Sequence, residues 1–341
     1  VSDDFALPSG RPPPENFHYF TLQPRFTVLP FRLFCRYNSP ANFLRRKIMN
    51  RFVLCCGWLL MGLPFVSFST QAAETGFLNR TVTIGGERYR YQVYVPANWK
   101  RAERWPVILF LHGSGERGDD GLWQTEIGLP SAIRRKPERF PAIVVMPQCR
   151  RDTWWNAENM QQMALRALEQ SVREFHGDSQ RLYLTGLSMG AYGTWSMARH
   201  HPGKFAAFLP ICGGIAAPEV LRKTINLPPD PTDVDLYALT AQKVGKAPVW
   251  IFHGDADTSV PVSESRKMHE ALKAAGASVR YMEYPGVGHN SWDRTYNNEE
   301  AMKWLLAQKL QINSEQGKAN AAQSNARVAK GKSDRGKPSR K

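Results

Sequence analysis

The sequence predicts an α/β fold: a mostly parallel, twisted sheet with helices on both faces and an antiparallel N-terminal hairpin at one edge. Three observations carry that expectation. From residue 107 to residue 310, short apolar runs alternate with segments of helical periodicity, the pattern of β-α-β units. Several runs, such as Val107–Leu111 and Ala142–Met146, are continuously apolar, as strands covered on both faces must be. Ahead of them, Leu78–Ile84 and Glu87–Val95 alternate in polarity and are joined by Gly85-Gly86, a two-residue link suited to a tight hairpin.

Pro96-Ala97-Asn98 ends the second hairpin strand, and Val107–Leu111 leads into His112-Gly113-Ser114-Gly115-Glu116-Arg117-Gly118. Ala142–Met146 ends at Pro147-Gln148-Cys149. Over Met160–Phe175, the residues Met163, Ala164, Ala167, Leu168 and Val172 form a helical stripe. Leu182–Leu184 reads as a short buried strand, followed by Gly186-Leu187-Ser188-Met189-Gly190 and a helix carrying Ala191, Trp195, Met197 and Ala198. Phe205–Ile211 is the next strand, turning at Cys212-Gly213-Gly214. Residues 215–247 break the rhythm, with Pro228-Pro229-Asp230-Pro231, and are expected to form a loop or small cap over the site. Val249–Phe252 is a strand before His253-Gly254-Asp255-Ala256-Asp257; Val262–Ala275 is a helix stopped by Gly276. Val279–Tyr284 is the last strand, before Pro285-Gly286-Val287-Gly288-His289, and Glu299–Leu310 is the closing helix. The sequence contains no internal repeat.

The chain has 341 residues and a formal net charge of +15. That charge sits mostly at the ends. Residues 312–341 hold eight Lys/Arg against two acids, and residues 1–75 hold eight against four, leaving +5 on the body. The body is therefore not expected to bind nucleic acid. Residues 1–48 are rich in Pro, Phe and Arg without periodicity and read as a disordered upstream extension. Met49 opens a more regular segment: Asn50-Arg51, an apolar stretch from Phe52 to Phe68, then Ser69-Thr70-Gln71-Ala72-Ala73. That is the layout of a secretory signal peptide over 49–73, cleaved near Ala72 or Ala73. An uncleaved anchor is the alternative, although Pro64 interrupts a run barely long enough to span a bilayer. A leader of this kind crosses a membrane and delivers a periplasmic or secreted domain over 77–311. The basic, aromatic-free tail at 312–341 is expected to be disordered and free to touch acidic surfaces. Cys149 and Cys212 would remain in the mature protein, each after a different strand, and are expected as free, partly buried thiols. No C-x-x-C pair or His/Cys cluster suggests a metal.

G-x-S-x-G between a strand and a helix is the context of a nucleophile elbow, a sharp turn that lifts a serine Oγ clear of the sheet. A hydroxyl is weakly nucleophilic at neutral pH and needs a base within hydrogen-bond reach. His289, on a Gly-flanked loop after the last strand, is the candidate; His253 and His112 read as structural rings that orient loops. The base needs a carboxylate to hold its tautomer. Asp257 is favoured because it lies further round its loop; Asp255 suits a turn cap, and Asp293 is a third choice. The chain order Ser188, Asp257, His289 is the order of α/β-hydrolase triads. A tetrahedral oxyanion then needs two N–H donors, each worth about 3–4 kcal/mol of barrier. Met189 N–H is one candidate, and Ser114 N–H, with Gly115 as alternative, is the other. Trp154, Trp155 and Gln148, which follow a strand end, are candidate substrate-binding residues.

From about residue 78 to residue 310 the sequence resembles the α/β-hydrolase family of predicted peptidases and phospholipase/carboxylesterase-like esterases. It is also similar to the esterase D, feruloyl esterase and polyhydroxybutyrate depolymerase group. The matching pieces are L-H-G-S-G-E-R-G (111–118), P-Q-C (147–149), G-L-S-M-G-A-Y-G-T-W (186–195), P-I-C-G-G (210–214), H-G-D-A-D-T-S-V-P (253–261) and G-V-G-H-N-S-W (286–292). The resemblance implies an α/β-hydrolase fold with Ser188, Asp257 and His289 as triad, and it leaves the substrate open. The expected activity is hydrolysis of a small-molecule ester, of short-chain or aromatic acyl type, without a cofactor. Peptide hydrolysis by the same triad and non-catalytic binding to an acidic envelope polymer are the rival expectations.

Overall fold

A computed structural model describes residues 74–218, 223 and 234–310. The expected upstream extension, signal peptide and basic tail lie outside the described residues, which all belong to one compact unit within 69–341. The hairpin forms where Gly85 and Gly86 both take positive φ, 58° and 85°, the backbone that a two-residue turn between twisted strands requires. It joins β1 (Gly76–Ile84) to β2 (Glu87–Val95). The remaining strands are β3 (Trp105–Leu111), β4 (Ile143–Pro147), β5 (Gly177–Leu187), β6 (Ala207–Ile211), β7 (Val249–Gly254) and β8 (Val279–Tyr284). They make one eight-stranded sheet in the order β1-β2-β4-β3-β5-β6-β7-β8. β2 pairs antiparallel with both β1 and β4, and every pair from β4 across to β8 is parallel.

The helices are α1 (Leu129–Arg135), α2 (Glu158–Glu174), α3 (Met189–His200), α4 (Leu236–Val244), α5 (Ser263–Ala274), α6 (Trp292–Tyr296) and α7 (Glu299–Ala307). Every residue of β3, β4, β6 and β7 is buried, which explains their unbroken apolar runs. Alternate residues feed two cores. Val107, Leu109, Leu111, Ile143 and Val145 face α2 to α5, with Met163, Trp195, Ala241 and Leu272. Ile108, Phe110, Val144 and Met146 face α1, α6 and α7, with Ile133, Tyr296 and Leu305.

Three differences from the sequence expectation have physical reasons. β5 is eleven residues long, while the sequence shows only Leu182–Leu184, because polar Asp178-Ser179-Gln180-Arg181 masks its start. Short α1 and α6 carry too few residues for a periodic signal. The stretch expected as a loop or cap over 215–247 contains α4, capped by Asp235, whose carboxylate accepts from Tyr237 and Ala238 N–H. With Thr240, Ala241 and Val244 buried, α4 packs on α3 and α5 as the crossover between β6 and β7; residues 219–222 and 224–233 lie outside the described residues. Among the described residues no helix is long and apolar enough to cross a membrane.

Candidate active site

β3 and β5 are adjacent, and the chain winds away from them in opposite directions, β4 to one side and β6, β7 and β8 to the other. Loops leaving parallel strands at such a reversal border a crevice. His112–Glu116 leaves β3, Ser188 leaves β5, Cys212 leaves β6, Asp257 follows β7 and His289 follows β8.

Ser188 has φ 50° and ψ −120° between β5 and α3, a backbone that costs a residue with a Cβ about 1–3 kcal/mol. Its N–H donates to Ile211 O at 3.0 Å, tying the turn to β6. The turn works only because Gly190 has no side chain: a Cβ there would lie 1.9 Å from Leu111 O. Gly190→Ala is therefore expected to destabilise the protein by about 4 kcal/mol or more, the upper range for single substitutions, read from its denaturation midpoint.

β5 and β8 are three strand spacings apart, about 14 Å, so the loop after β8 must double back to bring His289 to the serine. It does so over Gly254, where a Cβ would lie 2.1 Å from Val287 O. Ala256 N–H donates to Val287 O at 3.0 Å, and Gly286 N–H donates to Asp255 Oδ1 at 2.7 Å. Asp255 thus ties two loops together at the surface. The Trp292 and His289 rings meet edge to face, with centroids 5.3 Å apart at 89°.

His289 Nε2 lies 2.9 Å from Ser188 Oγ, and its Nδ1 lies 2.7 Å from Asp257 Oδ2. The buried Asp257 carboxylate is surrounded by donors. Ser259 and Val260 N–H reach Oδ1 at 2.8 and 2.9 Å, and His253 Nε2 reaches Oδ2 at 3.1 Å. Burial acts to raise its pKa, but the hydrogen bonds from His289 and the two backbone amides prevail and hold it below the usual carboxylate range.

Ser114 opens a 3₁₀ turn and Met189 opens α3, so neither N–H has a carbonyl partner within its own helix. His112 sets the direction of the first. Its buried ring accepts from Cys149 N–H at Nε2, 3.0 Å, so the proton sits on Nδ1, 2.6 Å from Gly113 O. Pinning that carbonyl turns the Ser114 N–H to the opposite side of a trans peptide. Burial depresses the His112 pKa to about 3, so the ring stays neutral.

Trp154, Trp155 and Gln148 are spent on scaffold contacts rather than on an open pocket. Trp155 is fully buried and donates Nε1–H to His112 O at 3.0 Å. Trp154 is 4% exposed against Tyr192, and among the described residues its buried indole N–H has no acceptor. Burying rings of this size is worth about 3 kcal/mol each, which outweighs leaving them at a rim. Gln148 is buried; it donates to Glu116 O and Asp120 Oδ1 and accepts from Gly121 N–H, bracing the loop after β3. Sequence reasoning missed Glu116, a buried carboxyl beside Gly113 whose pKa burial raises, and Ser265, 2.7 Å from His253 Nδ1. Cys149 and Cys212 are free and fully buried rather than partly buried. Sγ of Cys212, whose thiol burial pushes up to about 12, lies within 4.8 Å of ligand atoms of Asp257 and His289. Among the described residues that is the group with metal-binding atom types, and its carboxylate and imidazole already bond to each other.

Residues 143–312 match the Dienelactone hydrolase family. An Arthroderma benhamiae protein named "Uncharacterized secreted protein" is 25% identical over 213 residues, 56% of this chain and 22% of that protein. A Yersinia pestis protein named "Putative carboxymethylenebutenolidase" is 33% identical over 113 residues, 33% of this chain and 38% of its own. The chain thus spans well under half the length of these relatives. A solved thermostable esterase is 31% identical with a TM-score of 0.58, covering 68% of this chain and 63% of that one. The sheet order and these matches show an α/β-hydrolase fold, in a chain similar in sequence to the Dienelactone hydrolase family and to a solved esterase.

Proposed function

We propose that the protein is an exported serine ester hydrolase acting on short-chain or aromatic acyl esters. The observation that carries the reading is the unbroken line of hydrogen bonds from Ser188 Oγ through His289 to Asp257. With His289 Nδ1–H donated to the carboxylate, Nε2 presents a lone pair to the serine hydroxyl. Ser188 Oγ attacks the ester carbonyl as His289 takes its proton. The N–H groups of Met189 and Ser114 receive the charge on the carbonyl oxygen. The alcohol leaves with the proton from His289, and water, deprotonated by the same ring, cleaves the acyl-enzyme. Export rests on the leader pattern at 49–73, supported by the name of the Arthroderma relative. The upstream extension and the basic tail are outside this chemistry.

The reading is tested by mapping the site of a fluorophosphonate label by mass spectrometry and by assaying p-nitrophenyl esters beside chromogenic peptides. Labelling of Ser188 with ester turnover supports it. Peptide turnover without ester turnover makes the protein a peptidase, and loss of function on deleting 312–341 but not in Ser188→Ala makes it a binding protein.

A further inference from the structure

Asp257 receives a second imidazole. His253, fully buried at the end of β7, places Nε2 3.1 Å from Asp257 Oδ2 and 3.1 Å from Val260 O. Both neighbours are acceptors without a proton of their own, so Nε2 must carry the hydrogen. On the far side of the ring, Nδ1 lies 2.7 Å from Ser265 Oγ, itself 2% exposed on α5. Burial depresses the His253 pKa, so the ring is neutral, Nδ1 is a lone pair and the Ser265 hydroxyl donates to it. Two side chains and one carbonyl thereby fix both the orientation and the tautomer of this ring.

We infer that His253, held by Ser265, is a positioning residue of the site: it donates to the same Oδ2 that receives His289 Nδ1–H and so sets where that oxygen sits and how strongly it accepts. This inference rests on the hydrolase reading for its kinetic consequence, but not for its spectroscopic one. Oδ1 is held by two backbone amides from the loop of Asp257 itself. Among the described residues the hydrogen bonds to Oδ2 come from the two rings. Without His253 the carboxylate keeps its anchor at Oδ1 but can swing about it, and His289 becomes the sole donor to Oδ2. The His289–Asp257 bond then tightens electronically while its direction toward Ser188 is less well fixed.

The test compares His253→Phe, which keeps a ring without a donor, His253→Gln, whose amide restores one, and Ser265→Ala, which removes only the support behind the ring. The readouts are the proton resonance of His289 Nδ1–H by NMR and p-nitrophenyl acetate kinetics. In His253→Phe that resonance is expected to shift downfield, and kcat to fall about 10- to 100-fold, the scale on which loss of an orienting partner acts on metal-ligating residues. KM stays within twofold. His253→Gln recovers part of kcat, and Ser265→Ala loses a few-fold with a smaller shift of the same sign. A folded His253→Phe protein with unchanged resonance and kcat overturns the inference, as does His253→Gln no better than His253→Phe. If His253→Phe does not fold, Ser265→Ala decides alone, an unchanged resonance and kcat counting against the inference. Failure of the hydrolase reading shows separately, as turnover that survives Ser188→Ala while the His289 resonance still responds to His253.

Discussion

Ser188→Ala is expected to lower kcat for p-nitrophenyl acetate about a millionfold, the scale seen when a triad nucleophile is removed from a serine hydrolase, and to abolish fluorophosphonate labelling. Residual turnover is then expected from the proposed oxyanion donors, the N–H groups of Met189 and Ser114, acting on bound substrate and water. The same position carries a second expectation. Ser188 sits at φ 50°, ψ −120°, and alanine keeps the Cβ that makes this backbone costly, whereas glycine does not. Both substitutions lose the hydrogen bond to His289, so the difference between them isolates the strain. Relief of about 1–3 kcal/mol is opposed by about 0.4–1 kcal/mol from the freer unfolded glycine chain. Ser188→Gly is therefore expected to be more stable than Ser188→Ala by about 1 kcal/mol, read as a higher midpoint in urea, while being equally inactive. A glycine variant less stable than the alanine variant would show that the turn holds less strain than the chain entropy that glycine adds, about 0.4–1 kcal/mol.

Much of this arrangement was legible in the order of residues. Fully buried strands such as β3 and β4 announce themselves because two covered faces leave no polar position, and Gly186 and Gly190 announce the turn because no other residue fits there. Ser188, Asp257 and His289 could be placed together from their strand ends alone, since a parallel sheet gathers those ends along one edge. What stayed hidden depended on which way side chains turn after the strand ends. Trp154 and Trp155 lie next to a strand end, as pocket residues do, yet their rings fold inward against Tyr192 and His112. Gln148 has the polarity of a substrate ligand, yet its amide donates to Glu116 O and Asp120 Oδ1 and accepts from Gly121 N–H, all in the loop after β3. Ser265 sits on α5, beyond the 253–261 motif, where helical periodicity gives no hint that one hydroxyl faces a buried ring.

Asp257→Asn is expected to reduce kcat about 10⁴-fold, the magnitude known when the carboxylate of a triad becomes an amide, and the structure explains why no relaxed orientation of the amide escapes that loss. Among the described residues every hydrogen bond to the carboxylate comes from a donor: Ser259 and Val260 N–H on Oδ1, His289 and His253 on Oδ2. An NH₂ group placed at the Oδ1 position would face two backbone N–H groups that have no other tautomer. The amide therefore turns its NH₂ toward the rings, which can adapt. His289 then accepts at Nδ1 and must carry its proton on Nε2, pointing at Ser188 Oγ, where it can no longer take the hydroxyl proton. Asp255→Asn supplies the contrast. Asp255 is exposed and accepts from Gly286 N–H through one oxygen, a role that the carbonyl of an amide can fill, so kcat is expected to stay within a few-fold of the parent. Measuring kcat for both variants with p-nitrophenyl acetate separates the two carboxylates of this loop. A large loss at Asp255 and a small one at Asp257 would reassign the partner of His289, whereas the expected order would tie the rate to a single oxygen atom that two imidazoles share.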